Sequence, residues 1–197
     1  MDENIDVKKE LLQLNQEALL NKKKRDIDTA VESFLAFYDK FTTDNMAEEI
    51  NDKVCSYLNI KPDSELGKIN YNTITNFFFL TIKQLKAIST ACINSLKERL
   101  VTFEDQEYNK ELGYIYVTVS NKLVEYCSEN INMLSDELTS NCDSDTKGKI
   151  KKYVYEMIVL RMGNIIREKL SSYIQLIDNN NKENKKRFNI INEKTIK

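Results

Sequence analysis

The sequence predicts an all-α protein, an elongated antiparallel bundle of about four to five long helices. The first observation is that apolar residues recur every three or four positions in each long segment, which is the spacing of one helix face. The second observation is that the 197 residues include one proline and four glycines, so that few positions require a helix to end. Long helices joined by short connections favour an up-and-down bundle.

The first strongly periodic segment predicts a helix over residues 27–41. Its apolar positions are Ile27, Ala30, Val31, Phe34, Leu35, Tyr38 and Phe41. Residues 1–20 also fit a helical period, and the polar run 21–26 separates the two stretches. Because that run lacks glycine and proline and is rich in good helix formers, we predict one continuous helix. A separate N-terminal helix over residues 1–20 is the alternative.

Two further helices are predicted on either side of the single proline. Thr43 or Asp44 can cap a helix whose apolar face ends at Leu58. Residues 62–64 form the clearest loop, since the residue before a proline is excluded from the α region. The next helix is predicted over residues 71–104, a length of about 50 Å.

The remaining chain predicts two more helices. Residues 105–140 keep a helical period, although the stretch 113–119 is rich in β-branched and aromatic residues and has the propensity of a strand. We predict a helix there because no other segment offers a partner strand. Residues 141–145 form a turn with capping side chains, and the last helix is predicted over residues 146–178.

The sequence therefore predicts one helical domain over residues 1–178, followed by a basic and flexible tail over residues 179–197. The tail lacks a sustained apolar face that would offset the entropy of ordering it. Its candidate surface-binding cations are Lys182, Lys185, Lys186 and Arg187.

Composition excludes several kinds of chemistry. The chain has no histidine, so it has neither a histidine-based catalytic triad nor an imidazole ligand for zinc. No glycine lies in a phosphate-binding loop motif. The four cysteines are scattered without a CxxC pair, which argues against a disulfide framework or a zinc site. We predict a protein that is not an enzyme and holds no cofactor.

Charge and hydropathy point to a cytoplasmic protein. The formal net charge is −2, which gives no global attraction to nucleic acid or to an anionic membrane. No apolar run approaches the roughly 18 residues of a membrane span, and the acidic N-terminal residues do not resemble a secretory signal.

One set of acidic residues is a candidate magnesium site. Glu48, Glu49 and Asp52 lie within about one helical turn, and Glu125 and Glu129 lie one turn apart on a later helix. Magnesium binds carboxylate oxygens, so the two groups together could hold the ion. With 31 acidic residues in the chain, however, a solvated surface accounts for the same pattern.

The densest apolar segment, residues 157–166, predicts an interaction surface. Apolar side chains there point in almost every direction, so the helix must be covered nearly all round. It is either central in the bundle or covered by a second copy of the chain, and we predict a homodimer. The candidate contact residues are Val159, Leu160 and Arg161, with the Arg161 stem on the core and its guanidinium in water.

These features predict a non-enzymatic intracellular protein that acts through protein–protein contact, as an adaptor, inhibitor, chaperone or assembly subunit. One alternative is a peripheral membrane protein that uses the basic tail. A second is a magnesium-dependent all-α hydrolase that uses the carboxylates. A third is a DNA-binding regulator, which would require a basic recognition helix, whereas the second predicted helix is acidic.

Overall fold

The computed structural model describes residues 2–102, 105–140 and 142–196, and within these ranges the chain is helical with no strand. The helices are α1 (Asp2–Lys40), α2 (Asp44–Leu58), α3 (Glu65–Thr102), α4 (Asp105–Leu138), α5 (Ser144–Tyr155) and α6 (Gly163–Ile196). A π-helical segment, Glu156–Met162, joins α5 and α6 into one continuous helix. The predicted all-α fold is confirmed, and the stretch 113–119 lies inside α4.

Helix α1 is continuous from Asp2 to Lys40, as predicted from the composition of its polar run 21–26. Helix α1 ends at Lys40, residues 41–43 are not helical, and α2 begins at Asp44. The Thr43 side chain makes no capping hydrogen bond, but Asp44 places an acidic group in the first turn of α2, where the helix dipole favours it.

Helix α3 begins at Glu65, six residues earlier than the predicted start at Tyr71. Ser64 caps it, because its hydroxyl accepts the N–H of Gly67 at 3.2 Å and donates to the carbonyl of Lys61 at 2.5 Å. A Cβ atom on Gly67 would lie 2.4 Å from the carbonyl oxygen of Pro62. Only glycine lets the loop before α3 pack this closely on the helix.

The helices pack as a bundle in which α3 lies between α1 and α2 on one side and α4 on the other. The continuous helix α5–α6 then packs against α4 and returns along α1. A buried hydrogen bond of 2.8 Å joins the hydroxyls of Tyr38 and Ser89 across α1 and α3. The largest fully buried side chains are Ile27, Phe34, Ile50, Ile74, Phe78, Leu85, Leu100, Leu123, Ile131, Ile150 and Ile158.

The π segment explains how the densest apolar stretch is accommodated. Met157, Ile158, Val159 and Met162 are all buried within one chain. Three of these residues are consecutive, and the wider turn of a π-helix brings more adjacent side chains to the core than an α-helix does. The helix that the sequence describes as apolar nearly all round is therefore largely covered by its own neighbours.

Residues 179–196, expected to form a flexible tail, are helical and continue α6 alongside the first half of α1. Asn184 joins the two helices: its side-chain oxygen accepts from Lys22 Nζ at 2.6 Å, and its amide donates to Asp26 Oδ2 at 2.9 Å. Asn181 and Asn184 are both buried. The sequence-based prediction missed this pairing because the hydrogen bonds that join the two helices here are made by an amide and two ions, which the periodicity of apolar residues does not reveal.

Candidate functional site

Helix α3 contains the longest uncharged stretch of the chain. Residues 69–82 include no Asp, Glu, Lys or Arg, although 30% of the residues in the protein are charged. A buried helix face explains part of this composition, because Ile74 and Phe78 lie fully in the core. It does not explain the opposite face, where charged residues are normally found.

The opposite face of this stretch is exposed and apolar. Phe79 is 67% exposed, Leu80 56% and Ile69 53%. We define the α3 outer face as these three residues together with Leu66, Asn72 and Asn76, which are also exposed. Several large apolar side chains exposed on one face of a helix are typical of an interaction site.

A cavity borders the α3 outer face where α1 gives way to α2. Its volume is about 660 Å³, which is within the range of ligand and peptide pockets. Phe41, Phe78, Phe79 and Ile82 are among its apolar lining residues. At its rim, Lys86 forms an ion pair of 2.6 Å with Asp39.

A second hollow, of about 260 Å³, borders the α3 outer face on the side of α4. Phe77, Leu80 and Met133 contribute its apolar lining, and Met133 is largely exposed. The α3 outer face therefore lies between two hollows with apolar lining residues, into which side chains of a partner could pack.

Charges of opposite sign lie at the two ends of the α3 outer face. Glu65 occupies the first turn of α3, and Lys83 follows the uncharged stretch. Both side chains are exposed, and neither has an ion-pair partner among the residues that the structure describes.

The candidate magnesium ligands do not come together. Glu49 accepts a hydrogen bond of 2.5 Å from Arg161, and Glu125 one of 2.7 Å from Lys122. Across the described part of the chain, no three or more Asp, Glu, Cys or His side chains lie close enough to hold a metal ion. Glu48, Asp52 and Glu129 thus remain carboxylates without a shared site.

The candidate contact residues of the last helix have different environments. Val159 is buried, so it is not available to a partner, whereas Leu160 is 50% exposed. Arg161 is half-exposed and pairs with Glu49, as expected for a side chain with its guanidinium in water. Only Leu160 remains here as an exposed apolar contact.

The candidate cations of the last 19 residues lie on α6. Lys182 pairs with Asp178 at 2.6 Å, one turn earlier on the same helix. Lys185 lies with Lys23 beside the buried amides of Asn181 and Asn184, and both burial and this neighbouring charge lower the pKa of Lys23. Lys186 and Arg187 are exposed.

Two cysteines are fully buried: Cys127 lies in the apolar core, and the Cys55 thiol donates a hydrogen bond of 3.6 Å to the side-chain oxygen of Asn51. Burial raises the pKa of the Cys127 thiol to about 12 and also raises that of Cys55. Each therefore carries its proton at neutral pH, whereas a cysteine nucleophile requires the thiolate.

Comparison with protein-family models, with curated proteins and with solved structures finds no match to this chain. In the part of the chain that the structure describes, no helix combines the length and the apolar character needed to cross a bilayer.

Proposed function

We propose that this protein is a non-enzymatic, cytoplasmic helical bundle that acts through protein–protein contact, and that the α3 outer face is its docking surface. The observation that carries the proposal is the exposure of Ile69, Phe79 and Leu80 within the longest uncharged stretch of the chain. Covering each of these side chains would contribute roughly 1 kcal/mol to association.

The shape and chemistry of the surface support a protein partner. On the α3 outer face, exposed apolar side chains lie on both sides of the exposed amides of Asn72 and Asn76, and charged residues lie at both ends, which is a mixture of apolar and polar groups typical of protein interfaces. An exposed aromatic residue beside a hollow, as Phe79 is, is also a typical anchor of protein interfaces. All four cysteines are free, which supports a reducing compartment such as the cytoplasm.

Site-specific photo-crosslinking tests the proposal. The photoreactive residue p-benzoylphenylalanine is introduced at Phe79 in one variant and at Tyr114 in another, and each is irradiated in the native host cell. Tyr114 is a matched control, because it is an aromatic residue on α4 and is 56% exposed. We expect protein adducts at position 79 and few at position 114, with the adducts identified by mass spectrometry. An absence of adducts at position 79, or equal yields at both positions, would contradict the proposal.

A further inference from the structure

We infer that the partner of the α3 outer face is a second copy of this chain, with the two α3 helices packed antiparallel across a twofold axis. This inference rests on the proposed function and names the partner of the same surface. It follows from the order in which charged, apolar and amide side chains occur along α3.

The exposed side of α3 has coiled-coil spacing. Glu65, Ile69, Asn72, Asn76, Phe79 and Lys83 follow one another at intervals of four and three residues. Residues with this spacing lie along one side of an α-helix and form the contact seam of paired helices. Every one of them is exposed, so the seam is open in the single chain.

An antiparallel pair of these seams is self-complementary. When the twofold axis crosses α3 at the level of residue 74, Ile69 of one copy meets Phe79 of the other. In the same register Asn72 meets Asn76 of the second copy, and Glu65 meets Lys83 of the second copy. By symmetry each contact occurs twice. Apolar residues therefore meet apolar residues, amides meet amides, and each acidic residue meets a basic one. The paired stretch is about 27 Å long.

The flanking positions agree with this register. Leu80 lies beside the seam and lines the hollow on the side of α4, and Leu66, two heptads earlier, lies on the same side of α3. The antiparallel arrangement places Leu66 of one copy against Leu80 of the other. Two more apolar contacts are therefore added on the side of the α4 hollow. Both leucines are about half-exposed in the single chain.

Other arrangements of the same two helices are less favourable. A parallel pair would place Glu65 against Glu65 and Lys83 against Lys83, and like charges in contact destabilise an interface. An antiparallel pair shifted by one heptad would place Ile69 against Asn72, or Ile69 against Lys86. Amide groups at seam positions penalise such shifts because they need each other as hydrogen-bond partners.

Charge exchange tests the inference by light scattering and sedimentation of the full chain. We expect a dimer for the wild-type protein. Glu65→Lys and Lys83→Glu should each raise the dissociation constant about tenfold, because each change places two like-charged pairs in the interface. The double variant restores opposite charges in both pairs, so its dissociation constant should return close to the wild-type value. A double variant as weak as the single variants would overturn the proposed register.

Two apolar substitutions locate the interface. Phe79→Lys should leave a monomer, whereas Leu160→Lys, a change at a comparably exposed leucine of the π segment, should leave the dimer intact. The opposite result would place the dimer contact on the last helix and overturn the inference. Circular dichroism of each variant confirms that the helical bundle is retained.

Disulfide trapping provides an independent distance measurement. Asn72→Cys protein mixed with Asn76→Cys protein should form a mixed disulfide dimer faster than either variant alone, with wild-type protein as the control for its native cysteines. A monomeric wild-type protein without cross-linking would overturn the second-copy inference. The photo-crosslinking at Phe79 distinguishes this failure from that of the proposed function, since adducts to a different protein would leave the docking surface valid.

Discussion

At the scale of single residues, Gly67 is the position where the backbone demands one residue type. A methyl group there would overlap the carbonyl oxygens of both Pro62 and Lys61. We expect Gly67→Ala to lower the free energy of unfolding by about 1–3 kcal/mol, the usual cost of overpacking. Gly113 is the matched control, because a Cβ atom there meets no atom within 4 Å. Gly113→Ala should raise stability by up to about 1 kcal/mol, since alanine is the better helix former. Chemical denaturation measures the free energy of unfolding of both variants, and equal changes in the two would contradict the structure.

A buried thiol and a buried tyrosine hydroxyl make the stability of the protein change with pH in the alkaline range. Burial raises the pKa of Cys127 from 9.0 to about 12 and that of Tyr38 from 10.0 to about 12. A raised pKa means that the folded state favours the protonated form, so this stability is fully present below pH 9. The free energy of unfolding should fall as the pH rises from 9 towards 12. In Cys127→Ala the decline between pH 9 and pH 12 should be smaller than in the wild-type protein, although Cys55 and Tyr38, whose pKa values burial also raises, still contribute to it. An identical profile for the variant would contradict this explanation.

At the scale of elements, α6 and the first half of α1 stabilise each other. Residues 6–26 of α1 include no fully buried side chain, and Asn184 of α6 makes hydrogen bonds with Lys22 and Asp26 in this half of α1. We expect deletion of residues 179–197 to expose the amides of residues 6–26 to rapid hydrogen exchange, while residues 144–178 remain protected. Unchanged protection of residues 6–26 would show that this half of α1 is stable by itself.

The helices could be predicted from the sequence where neighbouring residues alone determine them. Apolar spacing and the lack of helix breakers predict each helix, and they predict the continuity of α1 through residues 21–26. The early start of α3 depends on the Ser64 cap and on a glycine that packs against the loop. The last turns of α6 depend on an amide network with α1, so periodicity of apolar residues alone does not reveal them.

The candidate site was less predictable, because an apolar run does not show which side of its helix lies in the core. Phe77, Phe78 and Phe79 are consecutive, yet Phe78 is fully buried while Phe79 is largely exposed. The absence of charge over residues 69–82 was the available signal. It identifies a helix that is uncharged on two faces, and the packing of the bundle then decides which of the two remains exposed.

At the scale of the whole molecule, the chain covers its densest apolar segment and leaves a different one open. The π segment is largely buried by its neighbours. Little exposed apolar surface therefore remains there to stabilise the dimer predicted at Val159 and Leu160. We propose the α3 outer face as the dimer contact instead. Its two ends carry opposite charges that lack described partners within the chain, which a second copy can supply.

Hydroxyl-radical footprinting of Phe79 tests the central claim most directly, because it measures whether this side chain is covered in solution. Wild-type protein and Lys83→Glu protein are oxidised at the same micromolar concentration, with Tyr114 as the internal reference. We predict that Phe79 is oxidised severalfold more slowly in the wild-type protein than in the variant, while Tyr114 is oxidised equally in both. Equal oxidation of Phe79 in the two proteins would contradict the claim that a second copy covers the α3 outer face.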